Sequence, residues 1–108
     1  MTPAHRRFTI SCAPQVKGQL QPIERKFYSL IRRTIEEQLA FEPDVEMTNR
    51  KPLTRPVEFG ATWELRFGGQ NQFRVFYEID SEQRCVGILA IGVKHGNRFV
   101  IGTEEVEL

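Results

Sequence analysis

Three strand-like blocks in the second half of the chain constrain the fold most strongly. In residues 62–68 (TWELRFG) and 72–80 (QFRVFYEID), large apolar side chains alternate with mostly polar ones, the pattern of strands with one buried face. Residues 86–93 (VGILAIGV) are nearly all apolar, as in a central strand covered on both faces. Turn-forming residues at 68–71 and 80–82 separate the blocks. The pattern therefore predicts an antiparallel three-stranded meander.

The first half of the chain has a mainly helical pattern. Residues 7–12 predict a short strand, and residues 14–20 allow a short first helix with Pro14 at its first position. Within 22–41 the apolar residues recur every three or four positions, which predicts a second helix with one buried stripe. Residues 42–61 are rich in proline and predict an ordered connecting loop.

Together these elements predict an α+β fold in one domain spanning residues 1–108. The expected architecture is a small antiparallel sheet of three to four strands with two N-terminal helices packed on one face, in the order β-α-α-β-β-β. The helix stripe and the inward rows of the strands would form one core between the two layers. The acidic tail GTEEVEL, residues 102–108, leaves open a last strand, a short helix or no regular structure.

Composition excludes several classes of function. The 108 residues are 40% hydrophobic and 27% charged, as in an ordinary soluble globular protein. Fifteen Lys and Arg against fourteen Asp and Glu give a net charge of +1, so a site for a polyanion needs local charge segregation. Two Cys and two His are too few for a rich metal site, and no apolar run is long enough to span a membrane. We expect a cytoplasmic protein with neither metal nor cofactor.

The cations predict a basic patch on the sheet face that is turned away from the helices. If Leu65 and Phe73 point towards the helices, alternation turns Arg66 and Arg74 to the other face of one hairpin. Between residues 50 and 98 there are eight Lys or Arg and five Asp or Glu. The remaining candidates flank the strands: Arg50, Lys51, Arg55, Lys94, His95 and Arg98. Each alone is more ordinarily a solvated charge, or an arginine paired with a neighbour such as Glu64, so the prediction depends on their convergence.

Four segments in order resemble the RelE/ParE superfamily of bacterial toxins, on the RelE side. They are NRKPL, WELRFG, FRVFYEID and ILAIGVKHGN, and the resemblance covers about residues 49–98. It implies the same fold, with the sheet face opposite the helices forming a concave site. It further implies a toxin of a type II toxin–antitoxin pair that enters the ribosome and cleaves mRNA without a metal. In that reaction the ribose 2′-hydroxyl attacks the adjacent phosphate, whose charge arginines match bidentately.

The resemblance also assigns site residues by position. Arg66 and Arg74 match the arginines that hold the scissile phosphate, and Lys94 with His95 matches a basic pair at the strand end. Arg50 and Lys51 match basic loop residues that hold RNA and help to activate the nucleophile. The expected catalytic residues are Arg66, Arg74, Lys94 and His95, and the expected RNA-binding residues are Arg50, Lys51, Arg55 and Arg98.

The implied partners are a cognate antitoxin, the ribosome and mRNA, and self-association into a homodimer is compatible with such a surface. Two alternatives stay open. The C-terminal tyrosine of the best-known RelE-type sites is replaced by Val100 or Ile101, which favours a ParE-like toxin that binds DNA gyrase without cutting nucleic acid. The acidic tail favours an inactive or repurposed binding module of the same fold.

Overall fold

The computed structural model describes residues 7–55, 57 and 59–107 as a seven-stranded sheet with one main helix. Short 3-10 turns lie at Arg25–Phe27 and Gly69–Asn71. In chain order the elements are β1 (Thr9–Cys12), α1 (Gln15–Leu20), α2 (Tyr28–Leu39), β2 (Arg50–Pro52), β3 (Trp63–Phe67), β4 (Phe73–Asp80), β5 (Cys85–His95), β6 (Arg98–Ile101) and β7 (Glu104–Glu105).

The strands confirm the α+β class, but the expected three to four strands were too few. The sheet runs β2-β3-β4-β5-β6-β7, all antiparallel, and β1 pairs in parallel with β5. β2 lies within the stretch predicted to be loop. It forms at the sheet edge, where Pro52 removes no hydrogen bond that a neighbouring strand needs. Gly96 and Gly102, with φ of 63° and 64°, form the tight turns that fold the tail back as β6 and β7.

The helical layer is also smaller than expected, with one main helix instead of two. α1 has six residues, and the helix predicted over 22–41 begins at Tyr28. Glu24 has an extended backbone (φ −59°, ψ 136°), so only a 3-10 turn forms between it and α2. Within the described residues, no helix has both the length and the apolar character needed to cross a membrane.

The main core lies between α2 and one face of the sheet. Ile31, Ile35 and Leu39 of α2 are buried there, one helical turn apart. Alternate residues of the strands meet them: Leu65, Phe67, Phe73, Val75, Tyr77, Val86, Ile88 and Ile91. The Tyr77 hydroxyl donates a hydrogen bond of 2.7 Å to the Pro43 carbonyl, which fixes the loop after α2 to the sheet. Burial raises the pKa of Tyr77 well above its usual value.

A β-bulge in β5 changes which face its side chains occupy. Phe76 pairs with Ala90 while the next residue, Tyr77, pairs with Ile88, so β5 contains one extra residue. Val86 and Ile88 face the helices before the bulge, and Ile91 and Val93 face them after it. Unbroken alternation from Ile88 would have turned position 94 towards the helices. The bulge therefore places Lys94 on the opposite face, which we call the open face.

α1 completes the hydrogen bonding of β5 at this bulge. On the β5 edge away from β4, β1 pairs with residues 85–88 and β6 with residues 92–95, which leaves a gap between them. The Gln15 side chain donates to the Leu89 carbonyl (3.3 Å), and the Ile91 N–H donates to the Gln19 side-chain oxygen (2.9 Å). Two glutamines on one helix thus take the place of a strand, which satisfies backbone groups of β5 in the gap between β1 and β6.

Replacing Gln19 by Leu tests this role of α1. The change keeps a similar volume and removes the acceptor of the Ile91 N–H, so we expect the free energy of unfolding to fall by about 1–3 kcal/mol. Urea denaturation followed by circular dichroism measures the loss. The exposed Gln21 is the matched control, and Gln21→Leu should change stability by less than about 0.5 kcal/mol. Equal stabilities for the two variants would contradict the assignment.

Candidate functional site

The open face of the sheet forms the floor of a groove. Ala61, Phe76, Ala90 and Phe99 are buried in a second apolar cluster on this face. One wall is the loop after β2, through Leu53, Val57 and Phe59, and the other is the tail, through Val106. The Val106 N–H donates a 2.8 Å hydrogen bond to the Phe99 carbonyl, which holds the tail against β6. The main groove has a volume of about 1330 Å³, and a side cleft of about 470 Å³ adjoins it.

Two arginines face each other across the floor of the groove. Arg66 on β3 and Arg74 on β4 are cross-strand partners, and both line the main groove. Like charges directly opposite one another in an antiparallel pair are destabilising. Glu64, two residues before Arg66 and on the same face, forms an ion pair with the Arg66 Nε. The pair joins a buried carboxylate to a guanidinium whose side chain is 41% exposed.

Arg74 is held differently from Arg66. Its guanidinium carbon lies 5.4 Å from the centre of the Phe99 ring, a cation–π contact. Among the described residues its buried Nε has no hydrogen-bond partner. Burial lowers the pKa of Arg74, as does Arg66, while Glu64 raises it. A buried donor beside excess positive charge favours an anion that would supply the missing acceptor.

Gly92 makes the position of Phe99 possible. It lies opposite Arg74 on β4 and opposite Ile101 on β6. A Cβ atom on Gly92 would overlap the Phe99 ring, so a larger residue would displace the ring on which Arg74 rests. Glycine in a strand interior is otherwise unfavourable, and here it permits close packing beneath the site.

Lys94 shares the open face with the two arginines. Because Gly92 is the partner of Arg74, Lys94 is its diagonal neighbour on β5, at roughly 7–8 Å between backbones. Lys94, Arg74 and Arg98 all line the side cleft. Arg98 also forms an exposed ion pair with Glu105. Three of the four expected catalytic side chains therefore lie on one face.

His95 is the expected catalytic residue that does not join them. It is exposed, but alternation turns it away from Lys94, and it lines neither the main groove nor the side cleft. Lys94 and His95 were expected to act as a basic pair because they are adjacent in the sequence. Adjacent residues in a strand point to opposite faces, so the structure separates them.

Arg50 is likewise on the wrong face for the expected RNA contact. It pairs with Leu65 on the helix side and is 3% exposed. Its Nε donates to the Val45 carbonyl (2.7 Å), and its Nη1 donates to the Gln38 carbonyl. These bonds tie the end of α2 to the loop before β2. Its neighbour Lys51 pairs with Glu64 and lines the groove, as does the exposed Arg55.

Carboxylates line the main groove as well as cations. The cations are Lys51, Arg55, Arg66 and Arg74, and the carboxylates are Glu64, Glu104, Glu105 and Glu107. Glu64 was expected only as an ordinary ion-pair partner of a strand arginine and not as a part of the site, although it lies two residues from Arg66. The conformation of the tail was left open, and β7 brings the tail glutamates to the groove wall. Among residues 7–55, 57 and 59–107, no three His, Cys, Asp or Glu gather as metal ligands.

A search of solved structures finds this architecture in a toxin–antitoxin complex. The match is a chain of the RelBE2 complex from Mycobacterium tuberculosis, with a TM-score of 0.65 and 24% sequence identity. It covers 82% of this chain and 99% of that chain. The protein has a RelE-like fold. No protein-family model matches the sequence, and no curated protein matches it. In this fold α2 packs on one face of the sheet, and the opposite face forms the floor of the groove.

The contrast between Arg50 and Lys51 is testable by matched substitutions in β2. Arg50→Leu removes a buried guanidinium that donates to the carbonyls of Gln38 and Val45, and we expect the unfolding free energy to fall by about 1–3 kcal/mol. Lys51→Leu removes an exposed side chain and should change it by less than about 0.5 kcal/mol. Chemical denaturation of both variants gives the comparison. A Lys51 variant as destabilised as the Arg50 variant would refute the two placements.

Proposed function

We propose that this protein is a single-domain RelE-like toxin of a type II toxin–antitoxin system, and that it cleaves mRNA on the ribosome. The observation that carries the proposal is the pairing of Arg66 with Arg74, with Lys94 diagonal to Arg74, on the sheet face opposite α2. The matched chain belongs to a toxin–antitoxin complex, which supports the toxin role and a cognate antitoxin as partner. Action on ribosomes places the protein in the cytoplasm.

The proposed reaction uses the RNA as its own nucleophile. The 2′-hydroxyl oxygen attacks the adjacent phosphorus, the P–O5′ bond breaks, and the products carry a 2′,3′-cyclic phosphate and a 5′-hydroxyl. Negative charge grows on the non-bridging oxygens in the transition state. Arg66 and Arg74 are preorganised to bind those oxygens, and guanidinium groups stay charged at any working pH.

The order of the cations across the sheet suggests their roles. Lys51 on β2 and Lys94 on β5 flank the two arginines on either side. Lys51 would favour the alkoxide that forms as the 2′-hydroxyl loses its proton to water. Lys94 would donate a proton to the departing 5′-oxygen. Arg55 and Arg98, which line the groove and the side cleft, would hold the flanking backbone phosphates.

A second candidate function is a protein-binding toxin or module of the same fold. It is favoured by the tail glutamates, because Glu104, Glu105 and Glu107 in the walls oppose a polyanion. It is favoured also by the absence of a tyrosine at the end of the sheet, where Val100 and Ile101 lie in β6. A gyrase-binding toxin of the ParE type belongs to this class.

Alanine substitution of the facing arginines separates the two functions. Expression of the wild-type protein should arrest growth and cut mRNA. Arg66→Ala and Arg74→Ala should each lower the cleavage rate on purified ribosome–mRNA complexes about 10²–10³-fold, since each removes a donor to the developing charge. Primer extension on the mRNA measures the rate.

Arg32→Ala is the control, since Arg32 is an exposed arginine on α2, on the helical side of the sheet. It should cut mRNA as the wild type does. Growth arrest with intact mRNA and DNA-damage signalling would favour the gyrase target instead. Cleavage that is unchanged in both arginine variants would remove the assigned site.

A further inference from the structure

Glu64 is a buried carboxylate in a groove proposed to bind an anion. It is 6% exposed, and Glu64 and Arg50 are the two charged residues buried to this degree in the described part of the chain. A buried charge is unfavourable unless it is paired and hydrogen-bonded. Its position on the floor, beside the two facing arginines, indicates a role in arranging them.

The contact that Glu64 makes leaves part of Arg66 free. Its carboxylate oxygen accepts from the Arg66 Nε. A guanidinium has five N–H donors in a rigid plane, so fixing the Nε sets the direction of the two terminal Nη groups. The Arg66 side chain is 41% exposed, so these groups remain open to the groove. They form the fork that can bind two oxygens of one phosphate.

Glu64 also offsets the repulsion between the arginines. Arg66 lies directly opposite Arg74 and lowers its pKa, whereas Glu64 acts in the opposite direction. Without the carboxylate, the Arg66 side chain would be free to swing towards solvent and away from Arg74. The separation between the two guanidiniums would then no longer suit one phosphate.

We propose that Glu64 is a positioning residue, which holds the Arg66 fork beside Arg74 so that both guanidiniums bind one RNA phosphodiester. This inference rests on the proposed function, because it takes the phosphodiester as the ligand of the open face. Glu64 acts through Arg66 and does not touch the RNA.

If Glu64 positions Arg66, removing its carboxylate weakens the binding of RNA. If Glu64 acts only through its negative charge, removing it strengthens that binding. Loss of a negative charge next to an anion site strengthens anion binding by Coulomb attraction alone. Loss of positioning weakens it, because the guanidinium must then be ordered on binding. The sign of the change in RNA affinity therefore distinguishes the two roles.

The test measures binding of a short single-stranded RNA with 2′-O-methyl riboses, which cannot be cleaved, by fluorescence anisotropy at constant salt. Glu64→Ala should weaken binding about tenfold, as expected for a displaced charge-assisted contact. Glu64→Gln should retain most of the affinity, because its amide oxygen can still accept from the Arg66 Nε. Thermal melting of each variant confirms that it is folded.

Glu104→Ala is the matched control. Glu104 lines the same groove, and no salt bridge involves it among the described residues. Its removal should tighten binding, since only charge is lost. In an Arg66→Ala background, Glu64→Ala should no longer weaken binding, because the residue it positions is gone.

The binding test of Glu64 and the mRNA cleavage test can fail independently of one another. Tighter binding by Glu64→Ala, as for Glu104→Ala, would overturn the inference even if the wild-type protein cuts mRNA. Weakening by Glu64→Ala in a protein that never cuts mRNA would uphold the inference and refute the nuclease. A wild-type protein with no affinity for the free RNA would overturn the inference, whereas the nuclease is judged by cleavage on ribosome–mRNA complexes.

Discussion

The extra residue in β5 is the constraint on which the arrangement of the open face depends. A strand assigns its side chains strictly to alternate faces, so an insertion of one residue exchanges the faces of everything beyond it. Beyond this bulge lie Gly92 and Lys94, which take their places beside Arg74. Next to the bulge, Gln15 and Gln19 of α1 bond the backbone groups of β5 that lie between β1 and β6. A helix of only six residues thereby completes the hydrogen bonding of β5 where its side chains change faces.

The resulting site contains both repulsion, between its two arginines, and attraction, between Arg66 and Glu64. Arg66 and Arg74 are neighbours that repel one another, and they lie beside an apolar floor formed by Phe76 and Phe99. One buried carboxylate, Glu64, compensates part of that charge. An arrangement that keeps such a pair together at a cost in stability is more typical of a binding site than of a structural ion pair.

Much of the fold could be predicted from local patterns. Alternation located β3 and β4 within one residue at each end, and it placed Arg66 and Arg74 on a common face. It could not reveal the bulge, because β5 is apolar on both faces and shows no change of phase. The start of α2 was predicted too early, since the apolar spacing of Ile23 and Phe27 is helical although the backbone at Glu24 is extended.

Two features of the site could not be predicted from the sequence: the burial of Arg50 and the position of the tail glutamates. In both, residues distant in sequence determine where the charged side chain lies. Arg50 was expected to be a solvated loop cation, but its guanidinium donates hydrogen bonds to the carbonyls of Gln38 and Val45. The tail glutamates are far from the other site residues in sequence, but β6 and β7 extend the sheet and place them beside the groove. Burial of a charge and strand order both depend on tertiary structure, and neither leaves a periodic signal.

The most direct measurement is a crystal structure of the protein with a short RNA that carries 2′-O-methyl groups. We expect one phosphodiester between Arg66 and Arg74, with guanidinium nitrogens of both about 2.7–2.9 Å from its oxygens. The Glu64 carboxylate should remain bound to the Arg66 Nε. RNA bound elsewhere, or a phosphate held by neither arginine, would refute the assignment of this face as the RNA site.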